Sequence, residues 1–200
     1  MTRVSPGHDR SVRLVAEADS AGLPPEEFER WYVDERIPEV VADGGYRRGN
    51  LFVRLGSDGG GEVLRLPGRY LAVYEAAGLD ASGWRWRFAL GASDLGTATA
   101  VHVVMVNNTA PERDDEFNAW YNGLHLGDVI AAGGYRAGTR YENPAPAPGE
   151  ARWLAVYELD RPDPLGARAR VAAAAPGMRL WPHIEQVHVA VYARVQRGDR

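Results

Sequence analysis

The chain has 200 residues, a formal net charge of −4 and no cysteine, which excludes disulfides, thiolate nucleophiles, iron–sulfur clusters and cysteine-ligated zinc. All 23 cationic residues are arginine; without lysine there is no Schiff base, no pyridoxal-phosphate attachment and no lysine-dependent phosphate loop. The arginines are scattered and form no basic stripe for nucleic acid; no apolar run nears the roughly 20 residues of a membrane span. The first residues, MTRVSPGHDR, lack an apolar signal core, so a cytoplasmic protein is expected.

In chain order, residues 1–10 read as a disordered tail. A β-branched run, Val12–Glu17, predicts a first strand. Pro24 and Pro25 open a helix with acidic residues in its first turn, where the helix dipole favours them; Phe28, Trp31 and Tyr32 begin its apolar stripe. Gly44 and Gly45 close it as left-handed caps. Strands follow at Tyr46–Leu55 and up to Tyr74 and Glu75, separated by the loop GSDGGGEVLRLPG at 56–68. The segment WRWRF at 84–88 reads as a helical turn or a short strand.

The order then repeats. Val101–Asn107 predicts a strand and Pro111 opens a helix on which Phe117, Trp120, Tyr121 and Leu124 recur at i, i+3, i+4, i+7. Gly133 and Gly134 stop it, and strands follow at Tyr135–Glu142 and up to Tyr157 and Glu158, around the loop NPAPAPGE at 143–150. A second helix is expected near Pro164–Ala175 and a last strand at Ile184–Val195.

The repetition is explicit in the residues. EFERWYVDERIPEVVADGGYRRG at 27–49 and EFNAWYNGLHLGDVIAAGGYRAG at 116–138 agree at 11 of 23 positions at an offset of 89. YLAVYE at 70–75 matches WLAVYE at 153–158, and VRLV at 12–15 matches VHVV at 101–104. Three colinear matches mean an internal duplication, residues 11–96 and 97–196. The order β-α-β-β-α-β predicts an α+β fold of two ferredoxin-like units, closed on each other as one barrel.

The pattern F-x-x-W-Y-x-x-x-H-x-x-D-V, then G-G-Y-R, then a strand ending in A-V-Y-E, resembles the EthD-like branch of the dimeric α/β-barrel superfamily. The resemblance implies sheets paired face to face, helices outside, and a pocket between sheet and helix in each half. Relatives include polyketide cyclases, dehydratases, decarboxylases, lactone isomerases, cofactor-free monooxygenases and haem-binding enzymes, so fold implies no single reaction. Relatives usually carry W-Y-x-x-x-H-x-P-[DE]. Here the second copy keeps His125 and Asp128 with Gly127 for the proline, and the first keeps Pro38 and Glu39 with Arg36 for the histidine. The second pocket is therefore the expected active one.

Tyr121 and His125, at i and i+4, share a helical face, and Asp128 can orient the imidazole. Such a set suits proton transfer beside a carbonyl, because histidine titrates near neutrality; a buried tyrosine and a helix-end histidine bonding a carbonyl is the structural alternative. Period-2 alternation gives a second set. His188, Tyr192 and Arg194 of the last strand, with Tyr70, Tyr74, Trp153 and Tyr157, are expected to face one interior chamber, with Arg13 and His102 beside them. Leu71 and Val73 are expected beneath a helix. The alternative is an interior whose polar groups bond each other or water. His183, Glu185 and His188 cannot converge on a metal from one strand.

The expected function is a cofactor-independent acid–base enzyme on an enolisable aromatic or polyketide-type small molecule, in bacterial secondary metabolism. A cofactor-free monooxygenase and a non-catalytic binding protein are the alternatives. No cofactor or metal is expected, although one histidine suffices for haem. Neither a nucleic acid nor a membrane partner is expected, and the chain is a monomeric pseudo-dimer or a homodimer.

Overall fold

A computed structural model describes residues 12–17, 22–56, 66, 68–76 and 83–196; the expected tail at 1–10 lies outside the described residues. Eight antiparallel strands form the sheet: β1 Val12–Glu17, β2 Tyr46–Arg54, β3 Tyr70–Ala76, β4 Arg85–Gly91, β5 Ala100–Asn108, β6 Ala137–Glu142, β7 Trp153–Leu159 and β8 Ile184–Arg194. WRWRF thus belongs to a strand. The order is β1-β3-β2-β8-β5-β7-β6-β4, and the two end strands meet at an isolated antiparallel bridge between Val12 and Trp84. There the Val12 N–H donates to the Trp84 carbonyl at 3.0 Å and the Trp84 N–H to the Val12 carbonyl at 2.8 Å. The last strand of each half pairs with the other half: β4 with β6, and β8 with β2.

Both long helices carry the same irregularity. The first runs as Pro25–Trp31, a π turn Tyr32–Arg36, then Ile37–Gly44. The second runs as Asp114–Trp120, a π turn Tyr121–His125, then Leu126–Gly133. Each π turn is closed by an i→i+5 bond, Ile37 N–H to Tyr32 O and Leu126 N–H to Tyr121 O. The extra residue advances the buried stripe, so Leu126 and Val129 are buried beyond Tyr121 while Leu124, expected on that stripe, is only half-buried. Gly45 and Gly134 cap the helices at φ 69° and 71°. The third helix, Pro164–Ala174, begins at Asp163, whose carboxylate accepts from the Gly166 N–H at 2.9 Å.

Three apolar layers result. One cluster draws on both halves: Phe52, Leu71 and Val73 with Val101, Val103, Leu154 and Val156. The others lie between each long helix and its strands, around Phe28, Tyr32, Tyr70 and Tyr74 in the first half and around Phe117, Tyr121, Trp153 and Tyr157 in the second. The expected facing of β3 and β7 is therefore inverted. Tyr70, Tyr74, Trp153 and Tyr157 sit beneath the helices, and Leu71 and Val73 lie in the shared interior. The helices supply what the tyrosines need: aromatic partners, with Phe28–Tyr70 centroids 4.7 Å apart and Phe117–Trp153 5.9 Å apart, and polar partners for their hydroxyls. On β8, Tyr192 lies in the shared interior opposite Val101 and His188 stands opposite Met105, but Val187 also enters that interior at a register shift, whereas His102 pairs with Val191 and Tyr157 on the helix face.

The repeated G-G-Y-R and A-V-Y-E motifs meet as ion pairs at the sheet end. Arg136 bonds fully buried Glu158 at 3.0 Å, and Glu158 also accepts from the Ser93 hydroxyl at 2.5 Å and the Asp94 N–H at 2.8 Å. In the first half Arg47 approaches Glu75 at 3.9 Å and Arg48 bonds it at 2.5 Å. Gly49 and Gly138 close the motif where the helices approach: a Cβ would stand 2.7 Å from Tyr74 or 3.0 Å from Leu126. No helix among the described residues is long and apolar enough to cross a membrane.

Candidate functional site

The packed layer between the second long helix and β5, β6 and β7 holds most of the buried polar atoms without a partner among the described residues. Asn118, Tyr121, Asn122 and His125 project from one helical face at i, i+3, i+4, i+7. Tyr121 is buried, and its hydroxyl lies 3.2 Å from that of buried Tyr157. Burial raises both phenols above their ordinary values, Tyr157 well above, so both are neutral O–H groups near pH 7.

His125 is half-buried, stacked on Trp120 at 4.6 Å and 18°, with the Tyr121 ring edge-on at 4.9 Å. The Trp120 indole N–H donates to the Arg179 carbonyl at 2.8 Å, which holds the stacking ring. Burial lowers the imidazole pKa to about 4; Asp128 opposes that shift and the Arg140 charge adds to it. His125 Nδ1 is buried without a hydrogen-bond partner. Asp128 is half-buried and acts on His125 through charge alone; no hydrogen bond joins them.

Arg140, on β6, is fully buried beneath this helix. Its Nη1 donates to Asn118 Oδ1 and to Asn122 Oδ1, both at 2.8 Å. The guanidinium lies over Tyr121 at 4.1 Å, Trp153 at 5.1 Å and Phe117 at 5.3 Å. Burial lowers its pKa to about 10, which leaves it charged at neutrality. Sequence reasoning missed Arg140, Asn118 and Asn122. Their signal lay in the comparison of the two copies: at offset 89 they oppose Leu51, Glu29 and Val33.

His102 also falls in this layer, fully within the protein, its Nδ1 2.9 Å from the Tyr135 hydroxyl and its ring 5.8 Å from Tyr157. Burial, then the Arg168 charge, lowers its pKa to about 3, and Nε2 has no partner. His102 is therefore not in the interior chamber expected for it. The Arg13 side chain lies outside the described residues.

The remaining candidates lie elsewhere. His188 is buried in the shared interior beside a cavity of about 370 Å³. Its Nδ1 accepts from the Leu66 N–H at 3.3 Å, which places the proton on Nε2 for the bond to the Tyr192 hydroxyl at 2.9 Å. Burial and the Arg54 charge lower its pKa to about 4. Arg194 donates to Ala98 O at 2.6 Å, to Asn50 Oδ1 at 2.7 Å and to Leu95 O, tying the 95–98 turn to β8. Tyr70 and Tyr74 belong to the first half, bonded to Glu29 at 2.9 Å and to Tyr32 at 3.2 Å. The single chamber expected from alternation is thus three places, of which the layer beneath the second long helix brings together Tyr121, His125, Asp128, Trp153 and Tyr157, with His102 touching Tyr157 from the side. Among the described residues no group of three His, Asp or Glu side chains can hold a metal ion.

A crystal structure described as an anthrone oxidase-like protein is similar to this chain at 12% identity, over 94% of this chain and 91% of that one, with a TM-score of 0.46. No family model matches the chain, and no curated protein matches it.

Proposed function

We propose that this chain is a cofactor-independent acid–base enzyme acting on an enolisable aromatic or polyketide-type small molecule beneath the second long helix. One observation carries the reading: His125 is a neutral imidazole whose buried Nδ1 has no protein partner, beside a hydroxyl pair and a guanidinium that no carboxylate hydrogen-bonds. Nδ1 accepts a proton from the carbon beside a substrate carbonyl, and the C–H electron pair moves onto the carbonyl oxygen as an enolate. The Arg140 charge and the neutral O–H groups of Tyr121 and Tyr157 stabilise that oxygen. Asp128 steadies the imidazolium, which returns the proton to carbon or to a leaving hydroxyl, so that isomerisation, cyclisation and dehydration share one first step.

The fold we read behind this site is two fused ferredoxin-like units, 11–96 and 97–196, closed as a barrel like that of the EthD-like proteins. Support comes from the sheet order, in which β8-β5-β7-β6 and, through the Val12–Trp84 bridge, β4-β1-β3-β2 repeat one fourth–first–third–second pattern. A single chain then supplies both halves of the barrel.

The test is deuterium exchange into a benzo-fused ketone such as 2-tetralone, followed by NMR. His125→Ala should slow exchange at least about a hundredfold, and Arg36→Ala, at the matching position, should not. The base is the neutral imidazole, so the rate should hold from pH 7 to about 5 and fall as pH drops through about 4. Equal losses in both variants, or an acid limb near 6.5, would contradict the assignment. Oxygen uptake with exchange would assign a cofactor-free monooxygenase, and binding without exchange a non-catalytic binding protein.

A further inference from the structure

Partly exposed guanidinium groups elsewhere in this protein show how they hold carboxylates. Arg48 bonds Glu75 through Nε at 2.5 Å and Nη2 at 3.1 Å, and Arg152 bonds Glu142 through Nε at 3.2 Å and Nη2 at 3.0 Å. Arg87 turns the same edge to Glu142, and Arg113 the same edge to Glu116. That edge presents two parallel N–H groups, the fork that fits two oxygens of one planar anion.

In Arg140 the opposite side, Nη1, is held by two neutral amides, while buried Nε and Nη2 have no protein acceptor. Asn118 is itself fixed, its Nδ2 donating to Asp114 O at 2.8 Å, so its oxygen is committed to Arg140. The two asparagines orient the fork without neutralising it. A third unpartnered buried donor, the Trp153 indole N–H, belongs to the same aromatic cluster. A buried cation whose hydrogen-bond partners are all neutral is costly to keep in a fold, and the first half shows the alternative, because Leu51 fills the matching position.

We propose that the Nε/Nη2 edge of Arg140, with the Trp153 N–H, docks a planar two-oxygen anion on an aromatic ligand, either a carboxylate or the enolate of a 1,3-dicarbonyl. Phe117, Tyr121 and Trp153 around the guanidinium suit the ring of such a ligand, and the amide-held fork sets its orientation. This inference deepens the acid–base reading by naming the substrate class, and it rests on the same layer.

The experiment is a set of binding titrations, read by tryptophan fluorescence and calorimetry, with 2-naphthoate, neutral 2-naphthamide and 1-phenylbutane-1,3-dione. The wild-type chain should bind the acid or the diketone at least about tenfold more tightly than the amide, as a charge-assisted bond predicts. Preference for the acid assigns a carboxylate and preference for the diketone an enolate. Arg140→Leu should fold and lose the preference. Equal affinities in the wild type overturn the proposal and leave the guanidinium to buried water; a preference that survives Arg140→Leu overturns it too. Should Arg140→Leu not fold, the wild-type comparison of acid with amide decides alone. No turnover is read, so failure here leaves the His125 assignment to its own exchange assay.

Discussion

Beneath the first long helix, Tyr32 and Tyr74 share a hydroxyl contact at 3.2 Å; beneath the second, Tyr121 and Tyr157 share one at the same distance. Both pairs lie under a π turn at matching residues and against matching aromatic neighbours. Around these constants the two layers diverge. Arg140, Asn122 and His125 in the second half oppose Leu51, Val33 and Arg36 in the first. Arg36 is turned to solvent and paired with Glu39 at 2.7 Å, the positions that His125 and Asp128 hold in the other copy. The π turn and the tyrosine pair therefore belong to the shared framework, since they persist where the polar set is gone. Chemistry in this protein is to be sought in what the two halves do not share.

Exchanging residues between the halves breaks that comparison most directly. Leu51→Arg would place a guanidinium beneath the first helix with no amide to hold it, and should destabilise the chain by about 3–5 kcal/mol. Arg140→Leu should leave stability unchanged or raised. Urea denaturation of both variants checks this, and equal destabilisation would mean that Arg140 is a structural group.

A smaller contrast lies at the ion pairs. Glu158 is fully buried and Arg136 mostly so, whereas the Arg47 side chain is 48% exposed and 3.9 Å from Glu75. Arg136→Ala should cost about 2–4 kcal/mol and Arg47→Ala under about 1 kcal/mol, both read as shifts in the denaturation midpoint. Comparable losses would show that the first pair is as closely coupled as the second.

A third contrast concerns acid. The three histidines with strongly lowered pKa values, His102 at about 3 and His125 and His188 at about 4, all come from the second copy. Each is neutral in the folded chain and takes up a proton near 6.5 when unfolded. The unfolded state therefore binds more protons between these values, and stability present above pH 6.5 is lost as pH falls toward 4. The melting temperature should decline over that window, and His188→Gln should flatten the decline. An unchanged slope would place the acid sensitivity elsewhere.

The sequence alone determined the duplication, both helix starts and their left-handed caps, the strand segments, and a histidine beside the carboxylate in the second copy where the first has Arg36 beside Glu39. These are local properties: glycine caps, proline starts and residue periods act within a few positions and repeat wherever the residues do. Which face of β3 and β7 met the helices was not a local property. It depended on pairing register, with His102 opposite Tyr157 and Val191 but Val101 opposite Tyr192, and on which layer could meet the tyrosine hydroxyls. Alternation alone says that two faces differ and not which one is inside. Arg140 stood in a strand that reads as ordinary. Only the helix laid over it, with two asparagine amides brought to one side and no acceptor to the other, made it a candidate site.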